Sequence, residues 1–440
     1  AGEGRLVAAA GVSRLIGVGD RIRNAGANFA CDSAFYRTTD ELLRNLRRDD
    51  VAGRVVLIKG SRDSHFERVS HALERKSHTT VLEVDLDAMI HNLNYFRARL
   101  RPGVRLVAMV KAASYGAGDF EVAQMLQHQG VNYLAVAFAD EGVLLRERGI
   151  RMPIVVLNAD EGSFDLMVAH RLEPEIYNFR SLAFFSKAVE RVGEESYPIH
   201  IKLDTGMHRL GFMEGELDML TETLGETPSV KVATIFSHLN CSDMPQEDRY
   251  TREQIARFDR MSGRLAAALP YPVLRHTANS AAIERFPEAQ FDMCRLGLGL
   301  YGFGFEHNDE LKPVSTLKSR IVQLKHLSAG EAVGYGRAGK LTRVSVTATV
   351  PMGYADGLDR HLSCGVGEMM VCGCRVPVLG NICMDACMLD VTGTGAQVGD
   401  EVEIFGNDIP VTELSDKLGT IPYEVLTSVS RRVKRVYFKE

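Results

Sequence analysis

The chain has 440 residues, 45% of them hydrophobic and 25% charged, an ordinary globular composition with length for about three domains. Its formal charge of −5 comes from both signs mixed along the chain, which gives no basis for a nucleic-acid partner, and no apolar run approaches the ~18 residues of a membrane span. Eight cysteines are too sparse for a disulfide scaffold, so a reducing, cytoplasmic setting is expected.

The opening "AGEGRLVAAAGVSRLIGVG" starts acidic and carries an arginine inside its apolar part, a poor signal peptide. Residues 1–78 alternate helix and strand signals. "TTDELLRNLRR" (38–48) predicts a helix capped by Thr39 or Asp40, "GRVVLIKGS" a parallel strand running into a loop, and "SHFERVSHALER" a helix capped near Ser64. The stretch "RVVLIKGSRDSHFERVSHAL" (54–73) resembles the end of the C-terminal domain of the Mur ligases, of the kind that joins D-alanyl-D-alanine to the UDP-muramoyl peptide. Those ligases hold ATP on a Gly-rich loop carrying a lysine, and no G-x-x-x-x-G-K-[ST] occurs in this chain. The resemblance implies a partial α/β remnant without ligase activity, fused to the rest of the chain and bounded by "ERKSHTT" (74–80). Docking to a ligase partner is the other use open to it.

Over 79–310 the apolar strand candidates are "TVLEVDL", "VRLVAMVK", "YLAVAF", "PIVVLN", "EPEIYN", "IHIKLD", "VKVATIFSHL", "VLRHTANS" and "CRLGLGLYG". Amphipathic stretches separate them; in "DAMIHNLNYFRARL" Ile90, Leu93 and Leu100 share a face. Parallel strands each trailed by a helix are the pattern of a (β/α)8 TIM barrel. After 311 the period becomes two and glycine turns punctuate it, which predicts a mostly-β C-terminal domain over 311–440, closing on a strand in "SRRVKRVYFKE". Within it Cys372, Cys374, Cys383 and Cys387 match no common zinc spacing and are read as small buried residues of strands, with no metal expected.

Strand ends on the C-terminal face of a barrel carry the chemistry. Lys111 stands at one, after "VRLVAMV" and before "AASYGAG". A lysine that merely closes a strand would snorkel to water, whereas a desolvated one loses its proton more easily and can form a Schiff base with an aldehyde cofactor. Tyr115 stands four residues later in the same loop and could donate to a phosphate. Asn279 and Ser280 in "HTANSAAIERF" stand where a helix should start, and "CRLGLGLYGFG" offers glycine amides beside Arg295. Three such features at successive strand ends point to a phosphorylated cofactor.

The segments "VKAASYGAG", "IKLDTGMHRLGF", "SHLNCSD", "HTANSAA", "CRLGLGLYG", "VGYGRAG", "GYADGL", "GNICMDACMLDV" and "IPYEVL" then occur in the order and approximate spacing of the alanine racemases, fold-type III enzymes that use pyridoxal 5′-phosphate, over about 80–440. The resemblance implies interconversion of L- and D-alanine, with D-alanine supplied to peptidoglycan. It makes Lys111 the cofactor anchor and one base, and Tyr335 of "VGYGR" the base on the opposite face. It places Arg295 against the pyridine nitrogen. Tyr115, Ser280, Tyr423 and the amides of Gly297 and Leu298 become a phosphate cradle, with His238 on the ring and Asn279 behind Ser280. Arg209 and the backbone of Met384 take the substrate carboxylate, with Asp385 in support, and Tyr354 lines a narrow entrance. Lys202 is implied to be carbamylated by CO2, its new charge orienting Arg209. The family's sites are shared across a homodimer, so Tyr335 would serve the partner's Lys111.

Three departures touch packing around this site: Ala113 replaces the family's usual asparagine, "GAG" at 116–118 lacks a histidine at 117, and His208 replaces a common glycine beside Arg209. Two other classes remain at this level. A non-catalytic pyridoxal-binding barrel would need neither "VGYGR" nor "CMD"; a decarboxylase on this barrel would carry a carboxylate where Arg295 stands.

Overall fold

Eight short, largely buried strands lie side by side as one parallel sheet in the order β10-β9-β8-β7-β6-β5-β4-β11. To place them in chain order, β1 is Arg14–Val18, β2 Asp32–Tyr36 and β3 Val81–Asp85; the sheet itself comprises β4 (Arg105–Met109), β5 (Tyr133–Val136), β6 (Ile154–Val156), β7 (Glu173–Ile176), β8 (Tyr197–Lys202), β9 (Val230–Phe236), β10 (Leu274–His276) and β11 (Met293–Leu296). Helices join successive strands, the βαβ rhythm that puts cover on both faces and explains why both faces are apolar. The two edges meet: Asp292 N donates to Arg275 O at 3.0 Å and Arg295 N to Ala278 O at 2.9 Å. The result is a near-closed eight-stranded barrel.

The computed structural model describes residues 11–46, 79–305 and 310–439, with 7, 9, 51, 54, 56–60, 66, 68, 69 and 73. It divides into two units, 1–78 with 438–440, and 79–437. In the first, β1 and β2 pair in parallel around the helix Asp20–Asn24. This α/β alternation agrees with the sequence. The helix Thr39–Asn45 is capped one residue earlier than expected, by Thr38, whose side chain accepts from Glu41 N at 3.2 Å. Residues 56–60, expected in a strand, form none, and the helix expected from Ser64 lies largely outside the described residues.

The β-rich half of the second unit contains β12 (Ser315–Arg320), β13 (Gln323–Leu327), β14 (Ala332–Val333), β15 (Gly339–Lys340), β16 (Ser345–Val350), β17 (Glu368–Val371), β18 (Cys374–Pro377), β19 (Cys387–Asp390), β20 (Glu401–Phe405) and β21 (Lys434–Phe438). Its main sheet runs β18-β17-β20-β12-β3-β21. The strand in "TVLEVDL" is therefore not a barrel strand: β3 pairs antiparallel with β12, from Ser315↔Val84 to Lys318↔Val81. The reason lies in its pattern, since Leu82 and Val84 are buried while Val81, Glu83 and Asp85 are not. One covered face suits an antiparallel sheet, not a barrel wall. Two of the four clustered cysteines, Cys372 and Cys374, are exposed, so the reading of all four as buried strand residues holds only for Cys387 and in part for Cys383. All eight cysteines are free thiols. Among the described residues no helix is long and apolar enough to cross a membrane.

Candidate active site

A cavity of ≈ 1210 Å³ opens at the C-terminal ends of the barrel strands. Lys111, Lys202, Arg209 and Arg295 line it, against Glu175 and Asp243 as the only carboxylates among the described lining residues. That imbalance suits an anionic ligand.

Lys111 follows β4 and enters a turn in which Ala112, Ala113, Ser114 and Tyr115 all have φ between 51° and 54°. Left-handed backbone costs an L-residue roughly 1–2 kcal/mol, and four in succession persist only where their surroundings dictate it. Here the amides of Ser114, Gly116 and Gly118 donate to the carbonyls of Val110, Ala112 and Ala113. Glu141 accepts from Ala112 N at 2.6 Å, and Arg435 Nε donates to Gly116 O at 2.9 Å. The two glycines of "YGAG" are required by space as well as by positive φ: a Cβ on Gly116 would stand 2.2 Å from Leu426 O, and one on Gly118 would stand 1.7 Å from the Tyr437 hydroxyl. The loop thus holds the lysine rigidly against the C-terminal domain. The Lys111 amine has no hydrogen-bond or ion-pair partner among the described residues. Burial, and after it the charges of Arg209 and Lys202, pull its pKa below the usual lysine value, against an opposing pull from Glu141.

Opposite this loop, Asn279 accepts from Ala282 N at 3.0 Å and caps the helix Ser280–Arg285; it also accepts from Ser242 Oγ at 2.8 Å. Ser280 Oγ accepts from Gly297 N at 2.9 Å and Gly299 N at 3.3 Å, which leaves its own proton to donate. A Cβ on Gly297 would sit 3.2 Å from the Tyr115 hydroxyl and 3.9 Å from Ser280 Oγ, so the absent side chain opens a hollow bounded by those two hydroxyls. Tyr115 stacks near Tyr301 and Tyr423, at 4.7 and 5.6 Å between ring centres, and burial pushes its phenol pKa up. Leu298 also lines the cavity.

Arg295, on β11, is 6% exposed. Its guanidinium donates to the Nδ1 atoms of His276 at 2.7 Å and His238 at 3.3 Å, and to the carbonyls of Ser237 at 2.6 Å and Thr277 at 3.0 Å. Burial pulls Arg295 down to about 10, so it remains a cation near neutral pH. Because arginine only donates, both imidazoles must present lone pairs to it, and burial together with this charge keeps His238 and His276 neutral. His276 Nε2–H must then donate to Thr234 Oγ1 at 3.0 Å; Thr234 Oγ1 is also bonded to His200 Nδ1 at 2.8 Å, and His200 Nε2 to Glu173 at 2.8 Å. One chain of hydrogen bonds thus runs from Arg295 to the Glu173 carboxylate.

Lys202 ends β8. Phe212 N donates to Lys202 O at 2.9 Å, so the two residues close the base of the loop that carries Arg209. Arg209 is exposed on the cavity wall and its guanidinium has no partner among the described residues.

The remaining expected residues fall elsewhere. Tyr335, on the turn between β14 and β15, is 72% exposed, Met384 53% and Tyr354 44%, and none lines this cavity. Backbone bonds bring two of their loops together: Tyr354 N donates to Cys383 O and Ala355 N to Met384 O, each at 3.0 Å, while Asn381 Nδ2 donates to Tyr335 O at 3.0 Å. Asp385 accepts from Arg432 at 2.7 Å, and Arg432 also reaches buried Asp356 at 2.6 Å. The chain thus carries two clusters, one around Lys111 and one around Tyr335. Glu175, His276 and Tyr301 belong to the first and are not among the residues singled out from sequence; Glu175 stands in the short strand Glu-Pro-Glu-Ile and His276 in Leu-Arg-His, patterns too polar to mark either residue as exceptional.

Models of the alanine racemase N-terminal and C-terminal domains match residues 84–304 and 314–437. Alanine racemase 2 of Caldanaerobacter subterraneus subsp. tengcongensis is 38% identical over 375 residues, which is 81% of this chain and 94% of the relative. The solved alanine racemase of Clostridium difficile 630 overlays with a TM-score of 0.78 at 32% identity, over 83% of this chain and 97% of the other. That of Bartonella henselae, solved with covalently bound pyridoxal phosphate, gives 0.74 at 28% identity, over 82% and 100%.

Proposed function

The chain belongs to the alanine racemase family and is an enzyme that racemises alanine; we propose that it does so with pyridoxal 5′-phosphate and two bases, Lys111 and Tyr335, in a cytoplasmic homodimer whose D-alanine feeds peptidoglycan. The observation that carries this reading is the unpartnered Lys111 amine facing a cavity that also holds Ser280, Tyr115 and the hollow at Gly297.

The residues present fit the cofactor. Ser280 and Tyr115 would donate to its phosphate, joined by Tyr423 and the Leu298 amide, with Gly297 leaving room between the hydroxyls. Asn279 fixes the helix start behind them. His238 would pack on the ring, and Arg295 would donate to the ring nitrogen. Pyridoxal phosphate, when bound, withdraws electrons from the α-carbon of alanine and so acidifies its proton.

Lys111, which would anchor the cofactor, would hold or take the α-proton at Nζ on one face. Its depressed pKa lets it act as a base nearer neutrality than a surface lysine. Tyr335 does the same at its phenol oxygen on the other face. Arg209 and the Met384 backbone bind the carboxylate, Asp385 steadies the Met384 loop through Arg432, and Tyr354 narrows the entrance. Because Tyr335, Tyr354 and Met384 stand exposed on hydrogen-bonded neighbouring loops of the β domain, a second subunit supplying them is the arrangement we favour. Purified protein loaded with the cofactor should convert L-alanine to D-alanine and show a visible band that borohydride removes; no D-alanine would refute the reading.

Arg295 cannot accept a proton, so it would leave the ring nitrogen unprotonated and restrain side reactions. Arg295→Glu is expected to raise transamination per racemisation turnover, measured as pyruvate formed against D-alanine; an unchanged ratio would count against this role.

Residues 1–78 lie outside both family matches. We read them as the ligase remnant suggested by "RVVLIKG", without ligase chemistry. A chain starting at Thr79 should keep its racemisation rate, and the full chain should show no ATP-dependent ligation of D-alanyl-D-alanine.

A further inference from the structure

Glu175 is fully buried on β7, beside β8, and its Oε1 lies 2.9 Å from Lys202 Nζ. Neither carboxylate oxygen accepts a hydrogen bond of good geometry among the described residues, so Oε1 meets Lys202 as a close ion-pair contact. Two opposed effects act on the pair. Burial pushes the Glu175 carboxyl up and the Lys202 ammonium down, while Lys202, Arg209 and Arg295 around the carboxyl pull it back. With three cations about one acid and a direct contact to the nearest, the ionised pair is the state the geometry favours.

We propose that Glu175 is the fixed anion of this site, keeping Lys202 an unmodified ammonium and, through it, positioning Arg209 for the substrate carboxylate. The proposal rests on the racemase reading and departs from the carbamylated Lys202 that the family resemblance implies. Carbamylation would require the Nζ lone pair to attack the carbon of CO2, forming the N–C bond as one C=O electron pair moves to oxygen and a proton leaves nitrogen for water. In the ionised pair that lone pair is already an N–H bond and cannot attack. The product would also set a second buried anion against the Glu175 carboxylate, and like charges at such range disfavour one another.

Arg209 feels the same balance of charges. Lys202 sits at the base of the loop that carries Arg209, and the two cations repel. Glu175 offsets this repulsion and attracts Arg209 directly. If Glu175 loses its charge, Lys202 faces Arg209 unscreened and the guanidinium swings from the position that meets the substrate. Glu175 is thus a positioning residue, with no contact to the reacting atoms.

The test starts with wild-type holoenzyme at neutral pH in 13C-bicarbonate. Carbon NMR is expected to show no lysine carbamate, and racemisation should be independent of added bicarbonate. A carbamate resonance that disappears in Lys202→Met would overturn the inference. In Glu175→Gln the alanine KM should rise about tenfold or more with a smaller change in kcat. The amine, no longer held by a carboxylate, should then take up CO2, so that bicarbonate lowers KM again as a carbamate resonance appears. A folded Glu175→Gln with unchanged KM would also overturn the inference, and if that variant does not fold the wild-type spectrum decides. Were the wild type to make no D-alanine, the racemase reading would fall, while the spectrum would still report the state of Lys202.

Discussion

Lys111→Ala should reduce racemisation by at least ~10³-fold, since one substitution removes both the covalent anchor and a base. The fold should not suffer. The amine has no bonded partner among the described residues, and the repulsion of Arg209 and Lys202 opposes the attraction of Glu141, so its loss leaves no buried group unsatisfied. The unfolding midpoint is expected to hold or rise slightly. The hollow around Ser280, Tyr115 and Gly297 is untouched, so the variant should still bind pyridoxal phosphate, but reversibly, and borohydride should no longer fix it to protein. Activity within tenfold of wild type would remove Lys111 from the chemistry altogether.

The residues most legible in the sequence are those that break a local rule. Lys111 and Arg295 are charges at the ends of apolar strands, and both point into the cavity. The barrel is visible because walls covered on both faces need continuous apolar runs. The segment "TVLEVDL", read from sequence as a barrel strand, breaks that rule: Glu83 and Asp85 alternate with Leu82 and Val84, and a barrel wall does not alternate in that way. Its place beside β12 depends on a partner more than two hundred residues away, which no local pattern encodes. Glu175 escapes notice for a related reason. It reads as one more residue of a strand, yet a charge in a strand asks for a counter-ion, here Lys202 on the neighbouring strand. The left-handed turn after Lys111 is not legible at all, because three of its four residues are alanine or serine, which carry no preference for positive φ; its conformation is imposed by Glu141, Arg435 and the crowded glycines. Thr38 displaces Thr39 as a helix cap by a single position, within the ordinary ambiguity of adjacent hydroxyls.

Tyr335→Phe should cost a further large factor, on the order of 10²–10⁴ from loss of general acid–base catalysis, and mixing it with Lys111→Ala tests where each site is assembled. Tyr335 is 72% exposed and does not line the cavity that contains Lys111, so its role depends on what covers it. In a two-fold dimer with shared sites, a heterodimer of the two variants joins the intact Lys111 of one subunit to the intact Tyr335 of the other at one site, and leaves the second site without either group. Statistical mixing of equal amounts gives half heterodimers, each with one working site of two, so about a quarter of wild-type activity should return. If both groups of a site came from one chain, every site in the mixture would lack one of them. Activity no greater than that of the parent variants, in a sample whose exchange of subunits is verified by mass, would therefore place Lys111 and Tyr335 within the same subunit.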